Sequence, residues 1–227
     1  LLMIGCLLAT SLSAQPPMTA PPHQGEDDTL KILSWNIYML PPLVYFTGKK
    51  QRARALVNQL KNSDYDILMF QEAFHPGARR ILRKGLRDSF PHMIGPANRA
   101  IWPRTNSGLW ILSRLPIREL GRVKYSRHAG FDNAMANKGA LLVEFEWQGQ
   151  TFQLAGTHLN AGGPLEVRVS QMVEMAMLLD AHHEPGVPQL ICGDMNTNRD
   201  VQPDYDRMLE TFRADDPQPY GGVAWTA

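Results

Sequence analysis

The stretch Phe152-Gln153-Leu154-Ala155-Gly156-Thr157-His158-Leu159-Asn160 decides how this chain is read, because a strand-like apolar run ends there on a group of polar side chains. Three other stretches repeat the pattern. Lys31 to Leu33 leads into Ser34-Trp35-Asn36, Ile67 to Phe70 into Gln71-Glu72, and Gln189 to Cys192 into Gly193-Asp194-Met195-Asn196. Strands that share an end share a site. In an α/β sandwich, groups at neighbouring strand ends converge even when more than a hundred residues separate them, as with Asn36 and Asp194. The four stretches together would collect one metal-binding carboxylate, an acceptor and donor pair, and several amides.

Around these stretches the coarse pattern is layered. Strands are expected over 30–35, 66–70, 109–113, 140–147, 151–157 and 189–193, with a tight hairpin at Glu146 to Thr151. Helical spacing appears at Ala53, Leu56, Val57 and Leu60, and again at Leu165, Val169, Met172, Val173, Ala176 and Leu179. The methionines Met172, Met175 and Met177 read as core filler. Strands alternating with helices predict an α/β fold with two sheets packed face to face and helices outside.

Length and composition allow a single sizeable core: 227 residues, 44% of them hydrophobic. Leu1 to Ala14 is apolar and uncharged and gives way to a Pro-rich polar tether over 15–28, the pattern of a secretory leader. With neither an initiator Met nor a basic start, the chain is expected to begin inside that leader. Residues 29–227 would form the folded domain, secreted or periplasmic. Past the leader only Cys192 remains, so no internal disulfide is expected. The formal net charge is +1, from 23 basic and 22 acidic side chains. That balance argues against a dedicated nucleic-acid binder, which takes most of its affinity from phosphate contacts. The clusters Lys49 to Arg54 and Arg79 to Arg87 read as solvated helix faces.

Each polar group admits a structural and a chemical reading. An isolated Glu72 would be paired with an Arg or Lys, and an isolated Asn36 would cap a turn. Together with Asp194 they make a carboxylate and an amide oxygen for a hard divalent ion, which takes one or two carboxylates plus waters and phosphate oxygens. Asp194 and Asn196, two apart, would point the same way if the segment stays extended. His158 is either a satisfied core histidine or a donor to a transition-state phosphate. Asn160 is either a phosphate contact or a turn residue before Gly162-Gly163.

The four motifs, in this order, resemble the endonuclease/exonuclease/phosphatase superfamily of metal-dependent phosphoesterases, from about residue 30 to about residue 200. Asn106 to Ile117, with its Ser113-Arg114-Leu115-Pro116-Ile117 exit, is similar to that superfamily's central strand. The resemblance implies a deoxyribonuclease-like four-layer sandwich of two mixed β-sheets flanked by helices. It also implies Mg²⁺ or Mn²⁺ at Glu72 and Asn36, with His158, Asp194 and Asn196 in catalysis. The superfamily's general base is a His in a final Asp-His motif. No His follows Asn196, so the C-terminal strands are expected to be missing and these residues alone to hydrolyse poorly.

Within the superfamily, the chain resembles secreted neutral sphingomyelinases through Asn36-Ile37-Tyr38-Met39-Leu40-Pro41, Gln71-Glu72-Ala73-Phe74, Ala136-Asn137-Lys138-Gly139 and the Arg168, Gln171 spacing. This implies hydrolysis of sphingomyelin to ceramide and phosphocholine at a membrane surface. Asn137, Lys138 and Asn160 are then candidate substrate contacts, and Tyr45, Phe46 and Trp102 candidate lipid contacts. In some relatives an acidic residue stands five before the Lys, where this chain has Asn133, so no substrate-switching role is carried over to Lys138. Two alternatives stay open: a secreted nuclease of the same fold, and a non-catalytic membrane-binding relative. No stable protein partner is inferred.

Overall fold

The alternation in Ile67-Leu68-Met69-Phe70 separates two cores. Ile67 and Met69 face one and Leu68 and Phe70 the other, as the two-residue period of a strand requires. The computed structural model describes residues 29–41, 48–99 and 103–216. The segments expected to be leader and tether, with Tyr45, Phe46 and Trp102, lie outside the described residues.

In chain order the elements are β1 (Ile32–Met39), α1 (Lys49–Leu60), β2 (Ile67–Ala73), α2 (Pro76–Leu86), β3 (His92–Ile94), β4 (Trp110–Ser113) and β5 (Ile117–Lys124). They continue with α3 (Phe131–Met135), β6 (Gly139–Trp147), β7 (Gln150–His158), α4 (Leu165–Ala181), β8 (Gln189–Asp194) and α5 (Gln202–Phe212). The first sheet has the order β1-β2-β4-β3 and the second β5-β6-β7-β8. Both are mixed: β1 with β2 and β7 with β8 run parallel, and the remaining neighbours antiparallel. The expected two mixed sheets flanked by helices are therefore present.

Three apolar layers hold them together. Between the sheets, Ile67, Met69, Leu109 and Ile111 meet Leu141, Val143, Phe145 and Leu154. Outside the first sheet, Leu68, Phe70, Trp110 and Leu112 pack on Leu56 and Leu60 of α1 and Leu82 and Leu86 of α2. Outside the second, Leu142 and Ala155 pack on Met172, Met175 and Leu179 of α4 and Met208 and Phe212 of α5. β1 and β8 are edge strands of different sheets and pack on each other, which brings Asn36 and Asp194 together.

Two expectations are corrected. The buried face of α4 is Val167, Gln171, Met172, Met175 and Leu179, while Val173 and Met177, one turn apart on the other side, are exposed. Met177 is thus no core filler. Also, β1 and β2 run past their expected ends, so that Asn36, Gln71 and Glu72 lie inside strands and not in loops. The hairpin is as expected: Gln148 and Gly149, both at positive φ, form its two-residue turn between paired Trp147 and Gln150.

Candidate active site

Asn36 and Glu72 are set by an irregularity in the pairing of β1 with β2. The register is continuous to Asn36 opposite Gln71 and resumes at Met39 opposite Ala73, so Ile37 and Tyr38 together oppose Glu72. Such a bulge re-aims side chains locally. Tyr38 (φ 50°) and Glu72 (φ 55°) both take the left-handed conformation there, which non-glycine residues adopt at a cost.

The second sheet supplies the partners. His158 and Asp194 are paired across the parallel β7 and β8 ladder. Gly193 makes this close pairing feasible: at φ 143°, a Cβ there would stand 2.1 Å from the Thr157 carbonyl oxygen. Across the gap between sheets, Asn36 Nδ2 donates to Asp194 Oδ2 at 3.0 Å, and His158 Nε2 lies 3.6 Å from the same oxygen. The other oxygen, Oδ1, accepts the Asn196 backbone N–H at 3.1 Å. The segment is therefore turned and not extended: Asn196 is left-handed at φ 48°, a conformation that Asn tolerates.

Lys138, read from sequence as a candidate substrate contact, is only 4% exposed. Its Nζ donates to the Leu159 carbonyl at 2.6 Å, and Asn196 Nδ2 donates to that same oxygen at 3.0 Å. Burial holds its ammonium down at about 8, with Asp194 and Glu72 pulling the other way. Burial, and next the Lys138 charge, lower His158 to about 4 against the pull of Asp194. At neutral pH His158 is a neutral imidazole, with a buried Nδ1 that has no hydrogen-bond partner.

Glu72 is the anomalous group. Burial raises its carboxyl above the usual carboxylate range, while the Asn36 amide and the Lys138 charge counter this. Its Oε2 is buried without a hydrogen-bond partner. Among the described residues no group of three or more His, Cys, Asp or Glu could hold a metal ion. A hard divalent ion does not need one, since it takes one or two carboxylates and completes its shell with water and phosphate oxygens. The orphaned Glu72 oxygen beside the Asn36 amide fits that description.

Six of the eight residues singled out by sequence thus gather: Asn36, Glu72, Lys138, His158, Asp194 and Asn196. Asn137 and Asn160 are placed differently. Asn137 Nδ2 is spent on the Arg99 carbonyl at 2.9 Å, although its Oδ1 is buried and unpartnered. Asn160 accepts the Ala129 N–H at 3.0 Å and donates to the Gly162 carbonyl at 2.9 Å, clamping two loops together. The turn role is the one its geometry displays. Arg52 is exposed, as read from sequence, and its charge is also felt at Glu72. No local sequence signal marks it, because its link to the site runs through the backbone of β1.

The chain is similar to several known proteins. Phospholipase C of Staphylococcus aureus is 27% identical over 95% of this chain and 69% of its own length. Sphingomyelinase C of Leptospira interrogans is 29% identical over 95% of this chain and 44% of its own. A mutant beta toxin from Staphylococcus aureus, crystallised with bound magnesium ions, superposes with a TM-score of 0.73 at 25% identity, covering 82% of this chain and 71% of that one. The model of the Endonuclease/Exonuclease/phosphatase family matches residues 33–226, which takes in every residue of the site, and the chain belongs to that family.

Proposed function

We propose that this protein is a divalent-metal-dependent phosphodiesterase that cleaves sphingomyelin, or a related choline phospholipid, into ceramide and phosphocholine. The observation that carries the metal-dependent phosphodiesterase reading is the buried, unpartnered Glu72 oxygen facing a cluster of Asn36, Asp194, His158 and Lys138. The relatives named sphingomyelinase C and phospholipase C favour a phospholipid as the diester. The near-neutral charge balance favours it over DNA, so a nuclease of the same fold is the second choice. Export is proposed on the uncharged apolar run Leu1 to Ala14. No described helix is long and apolar enough to cross a membrane.

Glu72 would hold Mg²⁺ or Mn²⁺ together with the lone pair of the Asn36 amide oxygen that the Tyr38 N–H leaves free, and the ion would supply Lewis-acid polarisation of the phosphoryl group and charge neutralisation at the leaving oxygen. The remaining work falls to this chain's own groups. Asp194, fixed by Asn36 and by the Asn196 backbone, orients the attacking water. His158, neutral and buried, donates a hydrogen bond to a non-bridging oxygen as negative charge builds there, a preorganised donor of the oxyanion-hole kind. The Lys138 ammonium, pinned to Leu159, adds a fixed positive charge close by, and Asn196 offers its second amide hydrogen. Water attacks phosphorus opposite the ceramide oxygen and gives up one proton to solvent, that P–O bond breaks, and the ceramide oxygen takes up a proton from solvent and leaves as the alcohol, with phosphocholine as the other product.

The test is phosphocholine release from sphingomyelin vesicles by the full-length protein, with Mg²⁺ and with chelator, beside Glu72→Ala and His158→Ala. Metal-dependent release lost in both variants supports the reading. Absence of release with Mg²⁺, with cleavage of DNA instead, would transfer the assignment to a nuclease.

A further inference from the structure

The bulge that sets Asn36 and Glu72 leaves its own backbone in need of partners. Ile37 and Tyr38 fall in the gap of the β1 and β2 register. A bulge disrupts the ladder locally and leaves the extra residue unpaired. The partner comes from the first turn of α1. Arg52 Nη2 donates to the Ile37 carbonyl at 2.5 Å and to the Tyr38 carbonyl at 3.0 Å. Its guanidinium also lies 5.8 Å from the centroid of the Tyr38 ring, within cation–π range. One side chain thus grips both bulge carbonyls and the ring of the residue held at φ 50°.

The grip is transmitted to the site by a single further bond. The Tyr38 N–H donates to Asn36 Oδ1 at 3.1 Å, which fixes the amide with its nitrogen toward Asp194 Oδ2 at 3.0 Å. The Ile37 carbonyl and the Tyr38 N–H belong to one planar peptide unit, so if that unit rotated out of the grip of Arg52, its N–H would turn away and the Asn36 amide would be free to flip or rotate. We propose that Arg52 is a positioning residue: by holding the Ile37-Tyr38 bulge it fixes the Asn36 amide, and through it Asp194, in the geometry the reaction needs. Arg52 does not touch the reacting atoms. Lys would keep the charge but not the planar fork, and Gln would keep one donor without the charge.

This role rests on the phosphodiesterase reading, so the test has one arm that does not depend on turnover. The side-chain ¹⁵N–¹H pair of Asn36, assigned by its disappearance in Asn36→Ala, is followed in metal-free Arg52→Gln and Arg52→Lys. Arg118→Gln, which breaks only an ion pair with Glu144 on the second sheet, is the control. The expected result is a displaced or broadened Asn36 pair in Arg52→Gln and an unmoved one in Arg118→Gln. With it should come a kcat about tenfold lower at unchanged KM, and partial return of both signals together in Arg52→Lys. An Asn36 pair at its wild-type position in Arg52→Gln overturns the inference. So does recovery of kcat in Arg52→Lys while the Asn36 pair stays displaced, because charge alone would then suffice. A wild-type protein inactive on every phosphodiester, but with Asn36 displaced in Arg52→Gln, would remove the functional reading and leave the positioning role standing.

Discussion

At Glu72 the folded state tolerates a carboxylate that it does not itself satisfy. Burial raises that carboxyl and one of its oxygens is orphaned, a situation that costs about 1–3 kcal/mol for a buried polar group. Glu72→Gln should therefore leave the metal-free protein as stable as the wild type, or slightly more so. It should also abolish the upward shift in Tm on adding Mg²⁺, which follows from binding to the folded state alone. Differential scanning calorimetry with and without chelator checks both. His158 makes a second prediction at this scale. Its folded-state value is about 4 against an ordinary 6.5, so between those limits the unfolded chain takes up a proton that the folded chain refuses. Stability should fall as pH drops from about 6.5 to about 4, with a slope approaching ~1 kcal/mol per unit. Urea titrations of metal-free His158→Gln should show a flatter profile across that window.

At the scale of elements, the site depends on how closely β7 and β8 run. A Cβ on Gly193 would collide with the Thr157 backbone, whereas one on Gly156 would meet the flexible end of Met69. Gly193→Ala should cost about 3 kcal/mol and reduce activity beyond what its stability loss explains, because Asp194 follows directly. Gly156→Ala should cost less, since Met69 can swing aside; denaturant midpoints compare the two. The same scale shows what the sequence made legible. β2, β6, β7 and β8 are long apolar runs with hydrophobic periodicity, and the polar groups at their ends announced the site. β5 was missed because Ile117 to Lys124 is an edge strand with three charged and solvated side chains, and β3 is only three residues long. α2 was seen as a basic run, since Arg79, Arg80, Arg83 and Lys84 outnumber its buried Ala78, Leu82 and Leu86. The bulge at Ile37-Tyr38 left no trace in composition or period. A register shift is a property of two strands together, and the part played by Arg52 was hidden with it.

For the molecule as a whole, the two sheets are joined mainly by apolar contacts, with Ile67, Met69, Leu109 and Ile111 set against Leu141, Val143, Phe145 and Leu154. Contacts of that kind oppose separation strongly but are non-directional, and so resist sideways slip weakly. The Asn36 to Asp194 hydrogen bond is a polar link that crosses from the edge of one sheet to the edge of the other, beside a weaker one between Ser34 and Cys192. Hydrogen bonds weaken steeply with small losses of alignment, so this one acts as a gauge of shear between the layers. A slip of an ångström that leaves every helix and strand intact would open it and separate Asn36 and Glu72 from Asp194 and His158. In rising urea, turnover should therefore disappear before far-ultraviolet circular dichroism reports any unfolding, with coincident loss of both signals as the contrary result. An active centre divided between two slabs is switched off by misalignment well before the slabs themselves come apart.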